Sequence, residues 1–277
     1  KKCWNHMPFF PSRSNQEENT HTRNMLIGMN EMEIEETVPD LGLKTNVLYY
    51  SVPNEDFPAF VRKTTFTNLG KGELTLDMLD GLGKLIPSGL TYGGLNTMGR
   101  TLEAWMKVYN VGNGDSDITQ PFFHITQGTA DTATVQMIKD GHFVVSFIED
   151  ENELDGDGLY KPLSFIVDPS IVFDTDTSLA DPKGFFRADT ADMSKYMTQP
   201  QGTTARTPCA FAGGKLKIAS GKSITITTVI GHSPDLETFV SKIDRKIRSV
   251  KFTQQKREEA DDIVDGILKL INSAPAI

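Results

Sequence analysis

Ala59-Phe60-Val61-Arg62-Lys63-Thr64-Thr65-Phe66-Thr67-Asn68 is followed by Leu69-Gly70-Lys71-Gly72, after which Leu74, Leu76 and Met78 alternate with Glu73, Thr75 and Asp77. Successive side chains of a strand point to opposite faces, so a period of two marks a half-buried strand. In the first run the odd positions Val61, Lys63, Thr65 and Thr67 read as the wet side. Phe60 and Phe66 share the other side with Arg62 and Thr64. Gly70 and Gly72 can supply the positive φ that a short connection needs, so the two runs are predicted to pair as a hairpin.

The same grammar extends outward. Thr101–Asn110 reads as a strand with Leu102, Ala104, Met106 and Val108 on one face and Thr101, Glu103, Trp105, Lys107 and Tyr109 on the other. Further strands are expected near Val47–Val52, Phe122–Gln127, Thr132–Ile138, His142–Ile148, Leu163–Val167, Lys215–Ala219 and Ser223–Ile230. Roughly ten strands punctuated by Gly, Pro, Asn and Asp, with no long helical pattern among them, predict sheet packed on sheet. This β domain occupies residues 25–232, behind a polar, irregular arm at 1–24.

After His232 the period changes. Ser233-Pro234-Asp235 offers a helix start, and Leu236, Val240, Ile243, Ile247 and Val250 recur at helical spacing, with Lys242, Arg245, Lys246 and Arg248 toward the end. A second helix is predicted from about Thr253, striped by Ala260, Ile263, Val264, Ile267, Leu268 and Ile271, a face that needs a cover. Residues 233–277 therefore form a two-helix tail.

The chain has 277 residues, with 28 Lys and Arg against 37 Asp and Glu, a formal charge of −9. Nucleic acid and anionic lipid both call for clustered cations, so neither is an expected partner. No apolar run approaches the roughly 18 residues of a membrane span, and Lys1-Lys2-Cys3-Trp4-Asn5-His6 has no apolar signal core behind it. The expectation is a soluble domain, with the cytoplasm favoured, although the missing initiator Met leaves a fragment open. Cys3 and Cys209 are too few for a disulfide framework and too far apart in sequence for a zinc knuckle.

Four ordered blocks carry a family resemblance: Leu41-Gly42-Leu43-Lys44-Thr45; Phe60 to Asn68; Leu79-Asp80-Gly81-Leu82-Gly83-Lys84-Leu85-Ile86-Pro87; and Met98-Gly99-Arg100-Thr101-Leu102-Glu103-Ala104-Trp105. A weaker match runs through Gly141-His142-Phe143 and Ile166-Val167-Asp168-Pro169. The chain resembles the N-terminal domain of cellobiose phosphorylase-like glycoside phosphorylases and hydrolases. The resemblance implies a mainly β fold, an antiparallel β-supersandwich of the galactose mutarotase-like type, followed by two C-terminal linker helices. It also implies a downstream α/α toroid that carries the general acid. No catalytic residue of the family maps onto this chain, and no metal or other cofactor is expected.

The expected carbohydrate-binding residues are Tyr92, Asn96, Arg100, Glu103 and Trp105. A sugar presents apolar C–H faces ringed by hydroxyls, which suits an aromatic ring beside an amide, a carboxylate or a guanidinium. Tyr92, Asn96 and Arg100 sit in the glycine-rich stretch Pro87–Arg100, read as a long loop in which glycines let backbone approach a ligand. The bland alternatives are a covered central strand for Trp105 and an ordinary crossover for the loop.

Glu149–Gly158 is the densest acid run, and Asp155-x-Asp157-Gly158 has part of a calcium-loop spacing without the closing Glu, so a solvated hairpin is the expectation. Asp168, Asp174, Asp176 and Asp181 read as turn caps or cation ligands. Mutarotase chemistry needs a His acid beside a Glu base, and His124 and His142, both on expected strands, are the histidines it would draft, although no spacing supports such a pair.

Three readings follow. The first is a non-catalytic, carbohydrate-facing domain of a larger phosphorylase or hydrolase, with an oligosaccharide and the toroid as partners. The second is a free-standing epimerase or lyase. The third is a structural module that forms a homodimer through Ile263 and Ile267.

Overall fold

The computed structural model describes residues 4–10, 21–111, 120–128 and 137–273. Eleven strands form two sheets, all pairs antiparallel among these residues. The strands are β1 (Thr22–Ile27), β2 (Glu31–Val38), β3 (Leu43–Ser51), β4 (Ala59–Asn68), β5 (Leu74–Leu82), β6 (Met106–Tyr109), β7 (Phe122–Ile125), β8 (Gly141–Ile148), β9 (Ser164–Ile166), β10 (Ala210–Ile218) and β11 (Ser223–Ser233). The large sheet runs β1-β2-β3-β4-β11-β8-β7-β6 and the small one β5-β10-β9. The mainly β expectation therefore holds, as a sandwich with helices after it. Cys3 and residues 132–136 of the expected strand Thr132–Ile138 lie outside the described residues.

The hairpin reading of β4 and β5 is wrong. β4 pairs with β3 and β11, whereas β5 pairs with β10 in the other sheet. Residues 69–73 cross from sheet to sheet, held by Asn68, whose Nδ2 donates to the carbonyls of Gly72 (2.7 Å) and Ile218 (2.8 Å). Phe66 on one sheet packs in a cluster with Met78, Leu216 and Ile218 on the other, so the apolar alternation of each strand is satisfied across the core instead of side by side. A second cluster, Phe123, Val144, Phe165, Val167 and Ala212, continues the same interface.

Both sheets are covered on their outer faces as well. A helical run of α6 (Leu236–Thr238), a π-helical turn (Phe239–Ile243) and α7 (Asp244–Ile247), capped by Asp235 through the Thr238 N–H, leads to α8 (Phe252–Ser273). Ser233 instead ends β11, so the helix start lies two residues later than Ser233. Phe239, Ile243, Ile247 and Phe252 press on Tyr50, Val61, Phe143, Val145 and Val229 of the large sheet. That cover buries Val61 completely, correcting its wet reading, while Phe60 on the opposite side is 40% exposed. On the small sheet, α3 (Pro169–Phe173) and α5 (Met193–Met197) cover Ile166 and Cys209, beside α4 (Lys183–Arg187). The result is four layers: helix, large sheet, small sheet, short helices.

Polar side chains stitch the layers together. Arg62 of β4 pairs with Asp80 of β5 across the core, and the Thr64 hydroxyl donates to the same carboxylate (3.1 Å). Three acids of the run 149–158 are committed too: Arg248, itself paired with Asp244 (2.9 Å), binds Asp155 (2.9 Å), Arg245 binds Asp157 (2.7 Å), and Glu149 takes Lys63, Thr227 and Thr253. Among the described residues no His, Cys, Asp or Glu grouping is arranged to hold a metal ion. Nor is any described helix long and apolar enough to cross a membrane.

The arm is not wholly irregular, because β1 starts at Thr22. Residues 4–10 are tied down by Glu36, which receives the Phe9 N–H (3.1 Å), His6 Nε2 (3.0 Å) and Arg23 Nε (2.7 Å). The apolar face of α8 divides in two. Phe252 and Ala260 are buried on the body, whereas Ile263, Ile267, Leu270 and Ile271 run on beyond it exposed.

Candidate functional site

The segment leaving β5 turns over one end of the sandwich and carries all five expected sugar-contacting residues. Two expectations about its local structure are corrected. Tyr92–Met98 is a helix, α1, and Arg100–Glu103 is a helical turn, α2, so Pro87–Arg100 is not a long loop and the strand read from Thr101 is confined to Met106–Tyr109. Thr91 begins α1 by accepting the Gly94 N–H (3.0 Å), a cap that outweighs the low helix propensity of two glycines. Leu102 and Met106 are both buried, and a spacing of four satisfies the helical and the strand period alike, which is why parity misled.

Tyr92 and Asn96, one turn apart, lie on the same face of α1. The Tyr92 ring is 64% exposed, with Lys84 Nζ 5.5 Å from its centroid, a cation held over an aromatic face. Arg100 is exposed too, but Gly99 (φ 47°) breaks the axis before it and starts α2 in a new direction. Glu103 is drawn away, accepting the Thr207 hydroxyl at 2.8 Å. Trp105 is half-buried where the chain passes into β6, its carbonyl taking the Thr126 N–H. The five residues thus separate: Tyr92 and Asn96 share an exposed face beside Lys84, Arg100 is exposed beyond the break at Gly99, and Glu103 and Trp105 are half-buried.

Beside this segment lies a cluster that parity did not reveal. Asp140, just before β8, has Oδ2 3.0 Å from His232 Nε2 and accepts the Ser88 hydroxyl at 2.9 Å. His142 pairs with His232 across the β8–β11 ladder, their rings 5.8 Å apart and edge to face, and His142 Nδ1 lies 3.2 Å from the Ile86 carbonyl. Burial holds the His142 imidazole below its ordinary pKa, and the neighbouring His232 adds to that. Burial pushes the Asp140 carboxyl up, but hydrogen bonds from His232 and Ser88 outweigh it and hold the group below the usual carboxylate range.

His124 does not join this group. Its partner in the ladder is Gly141, which places it on the opposite face of the sheet, where it packs against Tyr109 and Phe122 and its Nδ1 lies 3.0 Å from the Asp140 carbonyl. His124 and His142 are therefore not one catalytic pair. Ser88 and His232 both address the same carboxylate oxygen, so the serine hydroxyl is not aimed at the imidazole as nucleophilic activation requires. Sequence reasoning drafted His142 for acid chemistry, but nothing local in the chain places Asp140, Ser88 or His232 in one group with it. Gly141 leaves no room for a side chain, since a Cβ would lie 2.5 Å from the Phe123 carbonyl.

The geometry thus offers an exposed aromatic and amide face on α1 and, next to it, a hydrogen-bonded His, Asp and Ser group. No protein-family model matches the chain, and no curated protein matches its sequence.

Proposed function

We propose that the chain is a non-catalytic, carbohydrate-facing β-supersandwich domain of a larger cellobiose phosphorylase-like phosphorylase or hydrolase. It presents a glycan while an α/α toroid supplies the reacting acid. The observation that carries this reading is the Tyr92, Asn96 and Lys84 surface. A flat, 64% exposed ring can lie under a pyranose C–H face, with an amide one turn away to exchange hydrogen bonds with hydroxyls. The buried carboxylates support the non-catalytic half, since Asp80, Glu36, Asp168 and Asp244 are each engaged by a basic partner within the fold.

Calorimetric titration with cellobiose and cellotetraose tests it. The wild-type chain is expected to bind, and Tyr92→Ala to lose about tenfold or more, in the range of one aromatic contact. Undiminished binding by Tyr92→Ala, or turnover of cellotetraose by this chain with phosphate or water, overturns the reading.

A second reading, a sugar epimerase of the mutarotase kind, is favoured by the grouping of His142, His232 and Asp140. It predicts anomer interconversion that disappears in His142→Ala and persists in His124→Ala, whose ring lies on the other face.

A further inference from the structure

At the far end of β3 and β4 the inner face of the large sheet emerges from under the small one. Tyr49 and Phe60 stack there with ring centroids 5.7 Å apart at 23°. Phe60 turns a 40% exposed ring to solvent. Tyr49 is fixed from behind: Arg62 Nε donates to its hydroxyl (3.3 Å), the guanidinium lies 5.9 Å from its ring centroid, and Arg62 is itself locked by Asp80. The pair floors a shallow depression of about 330 Å³, walled by the backbone turn at Gly28–Glu31, by Met29 and Met32, and by Ser51, which pairs with Phe60 across the ladder.

We infer that this depression is a second sugar contact, seating one pyranose ring of an oligosaccharide on Phe60. It rests on the carbohydrate-facing reading but not on α1. The volume lies at the small end of ligand sites, about 300 Å³ and upward, which fits one ring rather than an extended chain. A stack whose rear member is hydrogen-bonded to a buried ion pair is held rigid, so little conformational freedom is lost when a ring settles on it. The Ser51 and Tyr49 hydroxyls supply polar groups for sugar hydroxyls, which a purely apolar partner could not engage.

The test uses the whole chain labelled with ¹³C at the methionine methyls and titrated with cellotetraose. Met29 and Met32 report on the depression, and a ¹⁵N label on the same chain lets the Tyr92 and Asn96 amides report on the α1 surface. The expected result is saturable shifts at Met29 and Met32, weakened about tenfold or more in Phe60→Ala and retained in Phe60→Trp. Shifts at the α1 amides alone overturn this second contact and leave the α1 surface standing. Shifts at Met29 and Met32 alone sustain the second contact and remove the α1 surface. Shifts at neither overturn both; shifts at Met29 and Met32 that Phe60→Ala leaves unchanged overturn the second contact alone. A shift at Met29 and Met32 that appears only with increasing protein concentration marks a protein contact and overturns the sugar.

Discussion

Asp140 Oδ2 lies 3.0 Å from His232 Nε2, so a carboxylate at the threshold of β8 grips the far end of β11. The carboxyl is held below its ordinary pKa, hence the unfolded chain binds more protons than the folded one in the acid range. Its contribution is complete above about pH 4, the ordinary carboxylate value, and drains away as pH falls below it. Asp140→Asn should therefore lower the urea midpoint near neutrality and flatten its acid limb. A mutant curve parallel to wild type down to pH 2 would show that the carboxylate contributes nothing. The side chain is 40% exposed, so the effect is modest.

Glu36 should be the larger acid-sensitive group. Burial raises its carboxyl, but hydrogen bonds from His6, Arg23 and the Phe9 N–H pull it to about 2 against an ordinary 4.5. A depressed carboxyl stabilises above the unfolded value, and the gain is lost as pH falls from 4.5 toward 2. Glu36→Gln is expected to cost on the order of 3 kcal/mol at neutral pH and little at pH 2. Urea unfolding at the two pH values checks this, and faster protease cleavage within residues 4–10 should accompany it.

Phe239→Ala tests whether the tail is part of the body. Phe239 is fully buried and stacks on Phe143 with centroids 5.0 Å apart at 9°. Truncating a buried aromatic costs about 3–5 kcal/mol. A loss below about 1 kcal/mol would mean that the π-helical turn is not seated on the sheet.

Gly81→Ala should be among the most damaging single substitutions. Gly81 has φ 155°, and a Cβ there would stand 1.9 Å from the Ala210 carbonyl oxygen on the paired strand. Because the obstacle is backbone, β5 and β10 must part locally, which is expected to cost more than about 3 kcal/mol, seen as a fall in Tm or as insoluble expression.

Much of this fold was legible because short runs rich in β-branched and aromatic residues are punctuated by Gly, Pro, Asn and Asp and the tail switches to helical spacing. What escaped the sequence was which strand lies beside which. Phe66 and Met78 look the same to a parity count whether they are neighbours in one sheet or face each other across two. Val61 shows a second limit: a strand covered on both faces loses its wet side, and the cover comes from Ile243 and Ile247, some 180 residues later. Within the candidate site, Tyr92 and Asn96 were proposed from side-chain chemistry, and the structure places both on an exposed face of α1. Lys84, Ser88 and His232 were not, because nothing local in the sequence places Lys84 against Tyr92, or Ser88 and His232 against Asp140. The partner of Glu103 was equally hidden, because Thr207, whose hydroxyl donates to it, is 104 positions away.

The place of β11 between β4 and β8 governs how the molecule is born. During synthesis the early strands β1 to β4 can zip as a meander, yet the later group β6 to β8 has nothing to join until Ser223–Ser233 has left the ribosome. Last of the described strands to be made, β11 is the keystone of the arch, and a nascent chain waits with two open flanks until it arrives. Maturation is thereby made slow and all-or-none, as distant pairings require, and this is the interval in which helper proteins would matter most.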